Sequence, residues 1–425
     1  MKLASYWLET SPRFSGAGDA PFPTRASVVV IGGGLTGLAA ARKLAMQGVD
    51  VVVLEGGRIG GEASGRNGGQ CNNGLAGDLR ALSERIGHDA AVGLYRVFDE
   101  GVDRVEAIVA EEGIDCDFVR NGKLKLADKP EHAAKLAPLA EYLARTVEPD
   151  IAHVTGDALA AEIESPDAYG GLIFPRSASL HVGRFVVGLA EAAARHGARI
   201  VEGARVTAIT PGKGGGKRVT TPLGTIEAEH VLLATGASMA GPFAWLRRRI
   251  VPIGSFIVAT EPMDPDLVRR VMPGRRNVTT MRNIGNYFRL TADNRLIFGG
   301  RARFALSSPS SDAKSGAVLV EALARLLPAA KDVPVAYTWG GIVDVTADRL
   351  PRAGVRDGIH YATGYSGHGT QMSVAMGERM ARALLGEADT NPLADLPWPA
   401  IPGHYGKPWF LPLVGAYYKW KDMRG

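Results

Sequence analysis

The sequence predicts an α/β fold of two interleaved domains, and three observations carry that prediction. Residues 28–55 run as an apolar strand, a glycine turn, a helix, a second strand and a closing carboxylate. Strand and helix patterns alternate again over 182–234 and 358–384, and strands dominate from 251 to 301. The first two features describe a Rossmann-type nucleotide-binding domain, and the third an α+β domain on a mainly antiparallel sheet. Expected boundaries are 27–80, 171–250 and 336–390 for the former and 81–170 and 251–335 for the latter, with 1–26 and 391–425 as wrapping termini.

The strand Val28–Ile31 runs into Gly32, Gly34 and Gly37, which let the chain turn sharply, approach a pyrophosphate and pack the next helix on the sheet. That helix opens at Leu35 and Thr36, carries Leu38, Ala41 and Ala45 at helical spacing, and stops at Gly48. Its free N–H groups face the phosphates. Glu55, 18 positions beyond Gly37, is placed to accept hydrogen bonds from an adenosine ribose and would repel a 2′-phosphate. The glycine-dense loop from Gly56 to Gln70 is too rich in special residues for a plain connector and reads as ligand-contacting, Arg58 included.

Helices are expected over 78–112 and 129–148, strands between Cys116 and Ala127, and a helix over 182–196 leading into strands at 198–209. GKGGGK at 212–217 resembles a phosphate loop, but a strand follows it and no Ser or Thr succeeds Lys217, so it reads as a hairpin turn. Val231–Ala234 ends in ATG at Gly236, RLIFGGRARF alternates with period two, and a helix follows near 315–327. A strand near 335–345 is expected to re-enter the nucleotide domain, and Gly358–Thr363 to be its last strand. GYSGHG at 364–369 then opens a helix whose Met372, Met376, Met380 and Leu384 form a core stripe.

Composition narrows the class. Hydrophobic residues at 46% and charged residues at 22% fit a globular chain of 425 residues, neither disordered nor a membrane bundle. The 16-residue uncharged stretch Ala26–Ala41 is broken by three glycines and is shorter than the roughly 20 residues a bilayer span needs. No membrane span and a cytoplasmic location are therefore expected. Cys71 and Cys116 show no metal or redox spacing and suit a reducing compartment as buried hydrophobes, with no metal site expected. A net charge of +5 and the run Arg247–Arg249 lack interleaved aromatics, so no nucleic-acid partner is expected.

The motifs GGGLTG, ASGRNGGQ at 63–70, YFRLTADNRLIFGG at 287–300 and GYSGHG together closely resemble gamma-glutamylputrescine oxidoreductases, within the D-amino-acid-oxidase-like flavoproteins. The resemblance runs from SYW at 5–7 to AYYKWKD at 416–422. It implies FAD, a small-molecule amine substrate, hydride removal from the carbon bearing the nitrogen, and O2 or another electron acceptor. Gly32, Gly34 and Gly37 would face the pyrophosphate, Glu55 the ribose, and Ser64 and Arg66 the phosphates. Asn67, Gly68, Gly69 and Gln70 would line the flavin. Val206 falls where relatives hold adenine by backbone atoms, with plain sheet core as the other reading. GGIVDVTADRLP lacks the cysteine, and the loop after Glu55 the histidine, through which some relatives attach flavin, so noncovalent FAD is expected.

In GYSGHG, Gly364, Gly367, His368, Gly369 and Thr370 would meet the flavin, the helix N-terminus stabilising negative charge on the ring. His368 either adds a proton or charge there or simply caps the helix. An alkyl ammonium with pKa near 10.4 has no lone pair to expel a hydride, and deprotonating it at pH 7 costs roughly 4.6 kcal/mol. Burial and nearby cations lower that cost. Arg301, on the strand that in relatives faces the substrate, is the expected cation, and its fork suits a carboxylate. The expected substrate is thus an amine that also bears a carboxylate, an amino or imino acid. Arg303 shares the strand face or reaches solvent; Tyr287 and Arg289 alternate onto one face in catalytic or structural roles. Ile297 falls where some relatives place an oxygen-activating lysine. Three alternatives stay open: an amine oxidase without carboxylate recognition, a non-catalytic flavin binder, and an NAD-linked dehydrogenase.

Overall fold

A computed structural model describes residues 1–16, 21–238, 240–301, 303–388 and 391–424. Two eight-stranded sheets organise it. In the first, Arg25–Ile31 lies at the centre and pairs in parallel with Val51–Leu54 on one side and Gly224–Leu233 on the other. Arg199–Val201 and Ile359–Thr363 extend it in parallel, and Arg352–Arg356 closes an edge antiparallel. The central strands are buried on both faces, which is why they read as unbroken valine and leucine runs. Ala208–Pro211 and Lys217–Thr221 form the hairpin expected around 212–217.

Helices Leu35–Ala45 and Gly369–Leu384 pack side by side over this sheet through small residues: a Cβ on Gly377 would lie 2.3 Å from the Thr36 carbonyl and 3.0 Å from Ala39. Each helix follows a strand of the parallel set, Arg25–Ile31 and Ile359–Thr363, so both begin at the carboxyl ends of those strands. Met372, Met376 and Met380 are buried in the core, with Leu384 packed against it.

The second sheet runs Val335–Val345, Val251–Thr260, Leu296–Gly300, Asn286–Leu290, Asn277–Thr280, Lys123–Ala127, Gly170–Phe174, Ala152–Val154. All neighbours are antiparallel except Asn277–Thr280 with Lys123–Ala127. Two expectations are corrected here. Strand 335–345 does not return to the nucleotide domain; it pairs along its length with Val251–Thr260, and Trp339 is buried beside Trp7, Ile257 and Ile297. Residues 170–174 likewise belong to this sheet, beside Lys123–Ala127, and not to the segment beginning at 171. Each strand is apolar enough for either sheet, and its partner, remote in sequence, decides.

The stretch before Lys123 is irregular apart from one bridge, Val119 to Ser179, so the strand expected from Cys116 begins seven residues later. The helix expected at 315–327 starts earlier, at Pro309, capped by the Ser308 hydroxyl. At the N-terminus the buried Trp7 donates its indole N–H to the Asn67 carbonyl at 2.7 Å and so pins the terminus against the 63–70 loop. The tail ends in a helix, Leu411–Arg424, which composition had not suggested; the Asp422 carboxylate accepts from the N–H groups of Asn283 and Ile284. Both cysteines are buried and free, and among the described residues no helix is long and apolar enough to cross a membrane.

Candidate active site

A cavity of about 1290 Å³ lies between the two sheets, beyond the roughly 300–1,000 Å³ of ordinary small-ligand pockets and so roomy enough for a dinucleotide and a substrate together. It opens at the carboxyl ends of the parallel strands, where open α/β sheets bind ligands. At its nucleotide end Gly32 takes φ +116°, and a Cβ there would lie 2.4 Å from the Ala234 carbonyl oxygen. Gly34 is the N-cap of the Leu35–Ala45 helix, and the Leu35 N–H donates to the Ser64 hydroxyl at 3.0 Å. Thr36 bonds the Tyr365 hydroxyl at 2.9 Å. Glu55 accepts from the N–H groups of Gly33 and Gly57, both at 2.7 Å; burial raises its carboxyl above the ordinary range, and those two donors pull it back.

Most expected cofactor residues line this space: Gly32, Gly34, Leu35, Thr36, Glu55, Arg58, Ser64, Arg66, Asn67, Gly68, Gln70, Val206, Gly236, Gly367, His368, Gly369 and Thr370. Val206 belongs to a core cluster and also lines the wall. Arg66 also acts as a brace, donating to the carbonyls of Gly61 at 2.7 Å and Gly340 at 3.1 Å.

Three expected contacts do not reach the wall. Gly37 sits behind the turn, where a Cβ would meet the Gly32 carbonyl oxygen at 2.0 Å. Gly69, at φ +67°, is covered by Arg289 and the Leu180 carbonyl. Gly364, at φ +84°, donates its N–H to Asp344 at 2.6 Å and lies over Thr346. These glycines shape the cavity from the layer beneath it.

At the other end, the Gly369–Leu384 helix presents its first turn to the cavity with His368 as N-cap. Burial, then the charges of Lys123, Arg349 and Arg301, push the His368 imidazole down to about 3. That shift favours the neutral imidazole. Its Nδ1 is buried and, among the described residues, has no hydrogen-bond partner.

Tyr287 and Arg301 line the same end. The Tyr287 hydroxyl meets the Ser255 hydroxyl at 3.1 Å, and its ring covers Gly299 and Gly68, either of which would clash with it if given a Cβ. Burial raises its phenol above the ordinary tyrosine range. Arg289 is buried out of the cavity, donating to the carbonyls of Gly68, Leu180 and Leu290 and stacking on Trp7. Ile297 lies in the cluster beneath Tyr287, away from the cavity. Arg303 is exposed.

Arg301 is half-buried and, among the described residues, makes no ion pair; burial and neighbouring Arg349 lower its pKa. The cavity also holds groups the sequence reading missed: Lys123, Lys125, Thr279 and Arg349. The lysines did leave a signal, alternating with Leu124 and Leu126 in KLKLA.

The glycine approach to the turn, two helix N-termini on one space and Glu55 together fit a flavin dinucleotide. Residues 27–383 match the family model of the FAD dependent oxidoreductases, DAO. The chain is 32% identical over 436 residues to a gamma-glutamylputrescine oxidoreductase of Escherichia coli (strain K12), covering 99% of each. Among solved structures it resembles glycine oxidase from Geobacillus kaustophilus, with a TM-score of 0.72 and 23% identity over 87% of this chain and 98% of that one. It also resembles an L-amino acid deaminase from Proteus myxofaciens in complex with anthranilate, with a TM-score of 0.73 and 17% identity over 90% and 95%. These two likenesses establish the fold. With the family model spanning both sheets, the chain belongs to the DAO family of FAD-dependent oxidoreductases.

Proposed function

We propose that this enzyme oxidises an amine that carries a carboxylate near the reacting carbon, an amino or imino acid, to an imine that water then hydrolyses, with O2 as electron acceptor. The carrying observation is Arg301, a half-buried guanidinium without an ion pair among the described residues, on the wall of the cavity that receives the Gly369–Leu384 helix N-terminus. A guanidinium held this way offers a carboxylate a bidentate fork. FAD, when bound, supplies the acceptor for the hydride. Gly32, Gly34 and the helix behind them would hold its pyrophosphate, Glu55 its ribose, Val206 its adenine side, and Asn67–Gln70 with His368–Thr370 its ring. The N–H groups of the Gly369–Leu384 first turn favour negative charge beside them. Arg301, Arg349 and Lys123 lower the affinity of a bound amine for its proton.

The free amine must lose its proton to react, so kcat/KM is expected to rise with pH toward the amine pKa near 10.4. His368, neutral well above its pKa of about 3, adds no limb near neutrality. Two free, buried cysteines suit a reducing cytoplasm.

The test is anaerobic: purified yellow enzyme is mixed with a panel of amines and flavin bleaching is followed. Amino and imino acids are expected to bleach it faster than neutral amines of the same length. Bleaching by neutral amines alone selects the gamma-glutamylputrescine type of activity, and bleaching by none sinks amine oxidation. Among the described residues, no cysteine lines the cavity, and His368, at a helix N-cap, is its one histidine. FAD is therefore expected to be noncovalent. Acid precipitation should leave the colour in the supernatant; a yellow pellet overturns this.

A further inference from the structure

Strand Lys123–Ala127 reads KLKLA, so its lysines share one face and its leucines the other. Leu124 and Leu126 are fully buried in the second sheet's core, while Lys123 and Lys125 line the cavity. Two cations two residues apart on one buried face repel each other and lose hydration, which is costly unless something anionic answers them. Lys123 has partial answers. Its ammonium donates to the Asn73 carbonyl at 3.0 Å, lies 4.0 Å from the Phe174 ring centre, and feels Glu148 and Asp99. Those carboxylates are engaged elsewhere: Glu148 by Tyr95 and Asn73, and Asp99 by Arg176 at 3.0 Å.

Lys125 has less. Among the described residues it makes no ion pair, and the one carboxylate that acts on it, Asp78, is spent capping the Leu79–Ile86 helix at 2.7 and 3.1 Å. Burial lowers both lysine ammonium pKa values, Lys123 to about 8. An anion arriving between them would reverse that shift.

The sheet register places Lys125 relative to Arg301. Gly299 pairs with Tyr287, Tyr287 with Thr279, and Thr279 with Lys125, a single row across four strands. Three strand spacings of about 4.8 Å span roughly 14 Å, and Arg301 lies two residues beyond Gly299 along its own strand direction, so the two Cα atoms stand about 16 Å apart. Tyr287 and Thr279 form the cavity floor between them. Two long side chains reaching inward from either end leave a gap that a substrate of several bonds bridges.

We propose that Lys125, supported by Lys123, is a second anion subsite, so that the substrate is an amine with two anionic groups, one met by Arg301 and one, several bonds away, by Lys125. This rests on the amine-oxidising reading above for the word substrate, but the subsite itself is testable by binding alone. The probes are adipate and hexanoate, six-carbon acids with two carboxylates and one, titrated into flavin-loaded enzyme while the flavin absorption spectrum is recorded. A charged hydrogen bond gained by adipate alone predicts a Kd about tenfold below that of hexanoate. In Lys125→Met the ratio should collapse to within about twofold, and Lys125→Arg should restore it. Lys125→Gln replaces the methionine variant if that one fails to retain flavin.

Equal affinities in the unaltered enzyme, absence of binding by either acid, or a ratio that survives Lys125→Met each overturn the subsite. Bleaching by amines without an adipate preference leaves amine oxidation standing and removes the subsite. An adipate preference that depends on Lys125, with no amine bleaching the flavin, does the reverse.

Discussion

Gly37→Ala should purify without its yellow colour, with flavin affinity weakened by about 100-fold or more, equivalent to roughly 2.7 kcal/mol. The methyl group would sit 2.0 Å from the Gly32 carbonyl oxygen and 3.0 Å from Val30 Cγ1. Neither neighbour can yield. Gly32 is held at φ +116°, its N–H bonded to the Leu54 carbonyl at 2.9 Å, with the Ala234 carbonyl pressed against its other side. The helix must therefore lift off the turn, which moves the N–H groups that face the pyrophosphate and adds about 1–3 kcal/mol of overpacking strain. Gly93→Ala is the control. It lies within the His88–Glu112 helix with open space around its Cβ, and should gain a few tenths of a kcal/mol to about 1 kcal/mol in stability with flavin unchanged. The ratio of flavin to protein absorbance reads both variants, and a fully yellow Gly37→Ala protein would refute the argument.

That prediction concerns a residue whose type was legible in the sequence and whose contact was not. Gly37 belongs to a turn in which glycine is demanded for two different reasons, ligand approach at Gly32 and Gly34 and helix–turn packing at Gly37, and spacing alone does not separate them. Gly69 and Gly364 repeat the lesson: each falls in a motif loop, yet each holds the loop's shape from below. The parallel strands were readable because burial on both faces writes itself as continuous apolar runs. Strand 335–345 was readable as a strand but not as a member of the second sheet, because Val345 finds Val251 only through long-range pairing.

Charge was the least legible property. The lowered pKa of His368 comes first from burial and then from Lys123, Arg349 and Arg301, brought to it from three separate parts of the chain. Lys123 and Lys125 carried a period-two signal, but which face of their strand meets the cavity follows only from where Leu124 and Leu126 are buried. Arg301 was found from its motif, and that it makes no ion pair among the described residues follows only from the fold.

Arg301→Met should sort substrates by charge. Methionine is unbranched, similarly long and adaptable, so it fills the wall without the fork. An amine whose carboxylate is gripped by two charge-assisted hydrogen bonds loses about 3 kcal/mol or more of binding when both vanish, which raises KM by roughly 100-fold. A neutral amine of the same length makes no such bonds, and its KM should change by less than about threefold. It does lose a nearby cation that helped expel its proton once bound, so its kcat profile, which reports the bound state, should move to higher pH. Arg349 stays in place and retains part of that field, which keeps the pH displacement small beside the loss in KM. Arg301→Lys separates charge from geometry: it should keep the pH profile while recovering only part of the carboxylate affinity, because a point charge cannot reproduce a bidentate contact. Equal losses for carboxylated and neutral amines would mean that Arg301 supports the wall and grips nothing, and the substrate carboxylate would then have to be sought at Lys125.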